Sequence, residues 1–406
     1  MEYSNTQQTV FAVLKSALWG QPLEYDPATD WQEVYRELCD QAVAALGVDL
    51  AEQIPELDPQ LKQTWMRKSL RSMAFWQKLM REQNALKLLL DNAGIPFVVL
   101  KGAAAAQYYP QPDRRAMGDV DLIVQPQDFL RAAELMAQNG YEQIENEAYD
   151  RHWEYKKNGV LFELHRYFVD MADPEIGNWL DQRIYAEIPQ ADMATLDRFT
   201  VPTLPTADNG LVLLTHIHHH LEGGLGLRQI VDWMLFVDQH LDDDLWEREF
   251  EAYAEHLGFR TLAVTVTRMC QLCLGLREDG IRWCGVADED LCHELMGFIL
   301  HQGNFGRKTD LEGTTVSIIN TFSRISNIPK LLQKHGCINW KALKKYPFLE
   351  PFAWLYQLCR YIKKGLSRKH PFRTLWNDIK TSGKQGTLLD RLGVTKRLRN
   401  RFENNK

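Results

Sequence analysis

No run of about 18 consecutive apolar residues occurs anywhere in the chain, which excludes a transmembrane helix. Met1 to Gln8 holds no basic segment leading into an apolar one, so no secretory signal is expected. Cysteine is sparse and odd in number, 7 among 406 residues, and scattered. That argues against a disulfide framework and for the reducing cytoplasm. Internal repeats and low-complexity tracts are also missing, which excludes a solenoid. The net charge is only −7, but it is unevenly spread. From Lys334 onward there are 18 Lys and Arg against 4 Asp and Glu, so a segment of +14 follows a body of −21. Such a tail attracts nucleic acid, an anionic membrane surface or a phosphorylated acceptor, or simply forms a solvated face; nucleic acid is not the favoured partner.

What is present is ordinary globular composition, 45% hydrophobic and 25% charged, enough for two or three domains. Residues 1–93 read as helical, with apolar spacing over Val10–Trp19, Trp31–Leu46 and Leu61–Asn92. The last is amphipathic, with Met66, Leu70, Met73, Trp76 and Met80 near one stripe expected to be core, and it brings Arg67 or Arg71 towards the sheet.

The chemistry gathers at Phe97–Asp121. Phe97 to Leu100 reads as a strand ending at a Lys101-Gly102 turn, and the alanine run from Ala103 predicts a helix whose first N–H groups suit a phosphate. Asp119-Val-Asp121-Leu-Ile-Val124 then predicts a buried strand with both carboxylates on one face. Two like charges side by side need a cation between them, and Mg²⁺ is the simplest. A lone Asp-x-Asp is more often a capping Asp119 and an Asp121 paired with a lysine or arginine; joined to the upstream Lys-Gly turn, the pattern favours the metal. Pro126 to Gly140 predicts one helix, and Tyr141 begins the next strand. Asn158-Gly159 between β-prone runs predicts a hairpin. In its second arm Glu163 lies opposite Phe162 and can face the Asp pair, or else be solvated.

Downstream, Ile188–Pro205 reads as a connector, and Thr206 or Asp208 as the cap of a histidine-rich helix. His216 and His220 share a face there, and with Asp232 they form a candidate zinc set; no Glu sits between the histidines as a base, which favours a structural or substrate-lining role. Cys270 and Cys273 lie in an apolar helical stretch and read as buried thiols rather than a zinc knuckle, despite Cys284 and Cys292 downstream. Gly303-Asn-Phe-Gly306 is a glycine turn with only weak promise as a phosphate loop. Further helices separated by prolines, Pro371 the last, are expected from Ser317 onward.

The Leu-Lys-Gly turn, the Arg115-x-x-x-Asp119-x-Asp121-Leu-x-Val strand and the hairpin ending Glu163-Leu-His165 resemble the nucleotidyltransferase superfamily that includes DNA polymerase β. More narrowly they resemble the bacterial uncharacterised nucleotidyltransferase family, over roughly residues 90–240. The resemblance implies that Asp119 and Asp121 hold two Mg²⁺ ions and Glu163 takes the third carboxylate position. It also implies that the histidine helix, Arg228 and Asp232 form a wall facing the nucleotide. Where the superfamily usually has Gly-Ser or Gly-Gly, this chain has Gly102-Ala103, so a hydroxyl contact is lost and Lys101 or Arg115 is left to supply phosphate charge.

The resulting expectation is an α+β, predominantly helical protein with a small mixed-sheet, polymerase-β-like core. The divisions fall at 1–93 (helical), 94–187 (catalytic core), 188–333 (helical, completing the cleft) and 334–406 (basic, helical). The expected reaction moves an NMP group from an NTP, ATP foremost, to an acceptor hydroxyl on a small molecule, peptide or protein, with release of pyrophosphate. Asp119, Asp121 and Glu163 are the candidate catalytic and metal residues. Lys101, Gly102, Ala103, Arg115, His216, His220 and Arg228 are the candidates for holding the nucleotide. The rivals are a non-catalytic nucleotide-binding scaffold and a zinc hydrolase built on His216, His220 and Asp232.

Overall fold

The computed structural model describes residues 2–144, 151–168, 174–306, 308, 332–333, 336–337, 340–344, 346–366 and 387–393. The chain is α+β and predominantly helical, with one mixed five-stranded sheet. Helices α1 (Asn5–Trp19), α2 (Trp31–Asp40) and α3 (Pro59–Asn92) come first. Their starts are set by side-chain caps: Ser4 forms a capping box with Gln7, and Asp30 and Asp58 accept from the first free N–H groups. The second helix stops at Asp40 rather than Leu46.

The sheet follows. Strand β1 (Phe97–Val99) and the single-turn α4 (Ala103–Ala106) lead to β2 (Asp119–Val124) and helix α5 (Phe129–Gln138). Next come β3 (Glu142–Gln143), β4 (His152–Lys157) and β5 (Val160–His165), in the sheet order β1-β2-β5-β4-β3. Strands β2 and β5 run parallel with Asp121 beside Glu163, and the other pairings are antiparallel. Asn158 (φ 49°) and Gly159 (φ 74°) make the tight turn between β4 and β5. Helix α5 starts three residues later than its proline, because Pro126 to Asp128 form a turn.

Helix α6 (Pro174–Glu187) has no counterpart in the sequence expectations. The supposed connector at 188–205 is a hairpin, β6 (Asp192–Leu196) and β7 (Phe199–Thr203), with Leu196, Phe199 and Val201 buried. Its length is too short for periodicity to register, and Pro202 reads against a strand; in a two-stranded ribbon it is tolerated. The helical body continues with α7 (Thr206–Gly223), α8 (Leu227–His240), α9 (Asp243–Leu245) and α10 (Glu251–Leu257), then α11 (Arg260–Leu274) and α12 (Glu289–Gln302). Neither Thr206 nor Asp208 caps α7; Pro205 precedes it, and Asp208 pairs with Arg183 instead. No described helix is long and apolar enough to cross a membrane. A further helix covers Ala353–Leu366 and a short helical segment residues 387–391, and much of the region expected to be helical from Ser317, Pro371 included, lies outside the described residues.

Two apolar cores result. In one, Val99, Val120, Leu122, Val124, Val160, Phe162 and Leu164 from one sheet face pack with Trp76, Leu79, Met80, Leu86 and Leu90 of α3. The other joins Val98, Leu100 and Ile123 to the helical body. Helix α3 serves both, Leu61 and Trp65 in the second and Trp76 to Leu90 in the first. The stripe expected on α3 is therefore shifted: Trp76 and Met80 are buried, whereas Leu70 is 59% exposed. Cys270, Cys273, Cys284 and Cys292 are buried free thiols.

Helices α7 and α8 meet at Gly210, where an added Cβ falls 2.4 Å from Phe236 Cζ and 2.8 Å from Phe250 Cε2. Both rings are fully buried and packed on other rings, so neither can withdraw. Alanine favours a helix over glycine by about 1 kcal/mol, yet overpacking costs roughly 1–3 kcal/mol. The Gly210→Ala variant is expected to be less stable in urea denaturation; a gain in stability would refute this packing.

Candidate active site

The polar face of the sheet holds the site. Because side chains alternate, β2 turns Asp119 and Asp121 to the face opposite Val120 and Leu122. Likewise β5 turns Glu163 and His165 opposite Phe162 and Leu164. The parallel register sets Asp121 directly beside Glu163. Helix α7, helix α8 and the 303–306 turn close the other side, giving a cleft open to solvent with a cavity of about 190 Å³. Lys101, Gly102, Arg115, Gly118, Arg151, Phe168, Thr215, His216, His219, His220, Arg228 and Phe305 line it with Asp119, Asp121, Glu163 and His165.

Three carboxylates this close need internal cations, and two are supplied. Lys101 Nζ lies 2.7 Å from Asp121 Oδ1. His165 Nε2 donates to Asp121 Oδ1 at 3.1 Å and lies 3.2 Å from Glu163 Oε2, while its Nδ1 donates to the Tyr167 carbonyl at 3.3 Å. Both ring nitrogens meet acceptors, so the imidazolium is the form that fits. Burial works to lower the pKa of His165, and the hydrogen bonds to Asp121 and Glu163 outweigh it and raise it. The same balance holds for Lys101, lowered by burial and raised further by Asp121, Asp119 and Glu163. Burial opposes the Asp121 charge, but Lys101 and His165 hold its pKa well below the usual carboxylate range. Asp119 is pushed up to about 6, first by the charge of Asp121 and then by burial.

Gly102 has φ 53° and ψ −108°, a conformation glycine tolerates, and a Cβ there would also press on Met117 at 3.2 Å. The helix expected after it is a single turn, too short to serve as an anion-binding helix end. Ala103 is fully buried in the sheet core and its side chain does not line the cleft.

Arg115 is committed elsewhere. Its Nε and Nη2 donate to Asp232 Oδ1 and Oδ2 at 2.7 and 2.6 Å, and Tyr109 Oη donates to the same Oδ1 at 2.7 Å. Burial lowers and Asp232 raises the guanidinium, with a net rise. Asp232 thus neutralises the charge expected to meet phosphate, and it is not available to His216 and His220 as a zinc ligand. Those two histidines share a 2.9 Å Nε2–Nε2 hydrogen bond. Both are held neutral: burial and His220 depress His216 far below its usual range, and burial with His219 and Lys101 brings His220 down to about 3.

Arg228 bridges to Ala116 O at 3.2 Å, and its Nε is buried without a partner. Thr215 Oγ1 is likewise buried, unpartnered and on the cleft wall. These two donors were not both legible: Arg228 came with the resemblance, Thr215 had no signal. Two further residues were missed. His165 sits two residues beyond Glu163 on the same face, so strand alternation alone points to it. His152 lies across from it, and among the described residues His152, Glu163 and His165 are the group whose ligand atoms gather within 4.8 Å, as around a metal ion. Asp119, Asp121 and Glu163 do not gather their oxygens that tightly; Asp119 and Asp121 repel each other, which raises Asp119, and a cation would relieve that charge.

The family model described as an uncharacterised nucleotidyltransferase matches residues 27–275, and the chain belongs to that family. No curated protein matches the chain.

The buried ion pair gives a direct test. Asp232→Ala leaves Arg115 buried and unpaired and is expected to cost roughly 3–5 kcal/mol in urea denaturation. The joint variant Arg115→Met/Asp232→Leu is expected to lose clearly less; equal losses would mean that Arg115 is not held as the geometry shows.

Proposed function

We propose that the chain transfers a nucleotidyl group from an NTP to an acceptor hydroxyl, using a divalent metal held by Asp119, Asp121 and Glu163. The observation that carries this reading is the parallel register of β2 and β5, which lines up Asp121 with Glu163 on the face that also bears Asp119. Bound divalent ions, Mg²⁺ foremost, would offset the charge that builds on the phosphoryl oxygens during transfer.

The chain's own residues divide the remaining work. Arg228 Nε and Thr215 Oγ1, buried donors awaiting acceptors, bind phosphate oxygens. Lys101 stands beside Asp121 without substrate and turns to phosphate when the carboxylates take up cations. Gly102 keeps the strand end open so that phosphate approaches the backbone. The neutral His216–His220 pair forms a wall that offers hydrogen bonds without adding charge. The acceptor oxygen bonds the α-phosphorus, the bond to the β-phosphate oxygen breaks, and the hydroxyl proton passes to the Glu163 carboxylate. Pyrophosphate leaves. Arg115 braces the loop before β2 through Asp232, its charge already matched there.

A second reading is favoured by one contact. The Lys101–Asp121 ion pair already neutralises a carboxylate meant for a cation, as it would in a scaffold that binds a nucleotide without transferring it.

Asp119→Asn is the discriminating variant. Asp121→Asn strips partners from both Lys101 and His165, whereas Asp119→Asn relieves a repulsion and is expected to leave stability unchanged or slightly raised. Isothermal titration with ATP, GTP, CTP and UTP, with and without Mg²⁺, is expected to show metal-dependent binding that Asp119→Asn weakens at least tenfold. Pyrophosphate release in an acceptor screen is expected to fall by more than a hundredfold. Binding without metal, unaltered in the variant, would overturn the metal-dependent reading.

A further inference from the structure

Phe305 stands in the cleft on a clamp built from glycines. Its ring is 51% exposed, and its backbone has φ 57° and ψ 32°, left-handed values that a bulky L-residue rarely adopts. The clamp holds it there. Phe305 N donates to Gly224 O at 3.0 Å. A Cβ on Gly224 would fall 2.0 Å from Gly306 N, and one on Gly226 would fall 2.6 Å from Asn304 Cβ, so the turn and the α7–α8 junction touch backbone to backbone. Gly303 and Gly306 flank the phenylalanine with φ of 70° and 66°. An apolar ring kept half in water on a strained backbone gains nothing for the fold, and such strain gathers at functional sites.

The neighbours of the ring say what it faces. The Arg228 guanidinium lies 5.4 Å from the ring centre, and the His220 ring meets it at a steep 72° angle with centroids 5.0 Å apart. Arg228 also reaches Ala116 O, in the loop that leads to Asp119. Arg228 thus touches both the ring and the loop that leads to the carboxylate strand. A flat apolar surface beside a cation with an unused buried donor, in one cleft with the carboxylates, matches a nucleoside triphosphate, in which a planar base is joined through sugar to the phosphate chain.

We infer that Phe305 is the stacking platform for the nucleobase, and that it accepts all four bases with little discrimination. This rests on the nucleotidyl-transfer reading of the same cleft. Every base has a π-face, whereas telling bases apart requires side chains that pair with their edges. Among the described residues lining the cleft there is no Asn or Gln to pair with an adenine edge, and Thr215, His219 and His220 make single-point rather than bidentate contacts.

Phe305→Gly separates the ring from the fold, because glycine adopts the observed backbone freely and the variant is expected to melt at or above the wild-type temperature. Titration with Mg²⁺ and each of ATP, GTP, CTP and UTP is expected to show affinities for the wild type within a few-fold of one another. Phe305→Gly is expected to weaken all four by roughly 5- to 150-fold, the range for loss of one base–aromatic stack. Phe305→Trp is expected to retain them. Inorganic tripolyphosphate with Mg²⁺ is expected to bind wild type and Phe305→Gly alike. Unchanged NTP affinity in the glycine variant, equal loss of tripolyphosphate, or a loss confined to one base would each overturn the platform. A wild type that binds neither NTP nor tripolyphosphate would instead overturn the transferase reading beneath it.

Discussion

The crowding of Asp119, Asp121 and Glu163 on one face of a buried sheet is the constraint on which the rest depends. Like charges on neighbouring strands destabilise a sheet, and burial amplifies the effect. The protein answers with cations that arrive from strand ends: Lys101 follows β1 and His165 closes β5. Both are fixed by the sheet order, since β1 and β5 flank β2 on either side. The topology that gathers the acids thus also delivers their partners. The balance is incomplete, two cations against three carboxylates, and Asp119 bears the shortfall as a raised pKa.

A charged face can exist at the centre of the protein only because the opposite face is wholly apolar. Val120, Leu122, Phe162 and Leu164 lock β2 and β5 in register against α3, and a slip by one residue would turn those groups into the cleft and the acids into the core. Register here is enforced by hydrophobic burial and exploited by the polar side. Around the cleft the same economy recurs: Arg115, brought in by the loop before β2, is neutralised by Asp232 of α8 and ties sheet to helical body, leaving Arg228 as the cation with an unused donor.

The features legible in the sequence were those written locally. Asp119-x-Asp121, Asn158-Gly159 and the Glu163-Leu-His165 arm each state their geometry within a few residues, through strand alternation or a turn. Buried Cys270 and Cys273 were likewise readable from an apolar helical context. Long-range pairings were not. Arg115 looked like a phosphate ligand because nothing nearby announces Asp232, and Ala103 looked like part of the anion site because the alanine run extends further than its one helical turn. On α3 the stripe through Leu70 failed since the helix changes the core it serves midway, so no single face stays buried along its length. The 192–203 hairpin was hidden by its shortness and by Pro202.

The region matched to the family, residues 27–275, contains the carboxylates, Lys101, His165, Thr215 and Arg228. It ends before the 303–306 turn. The parts that hold charge therefore lie within the shared span, whereas Phe305 is carried by a helix-terminal turn outside it and reaches the cleft only by packing on Gly224 and Gly226, which lie inside. Those two glycines leave room for another backbone where a side chain would block it. Their contact seats the 303–306 turn against the cleft without involving any residue that carries its charge.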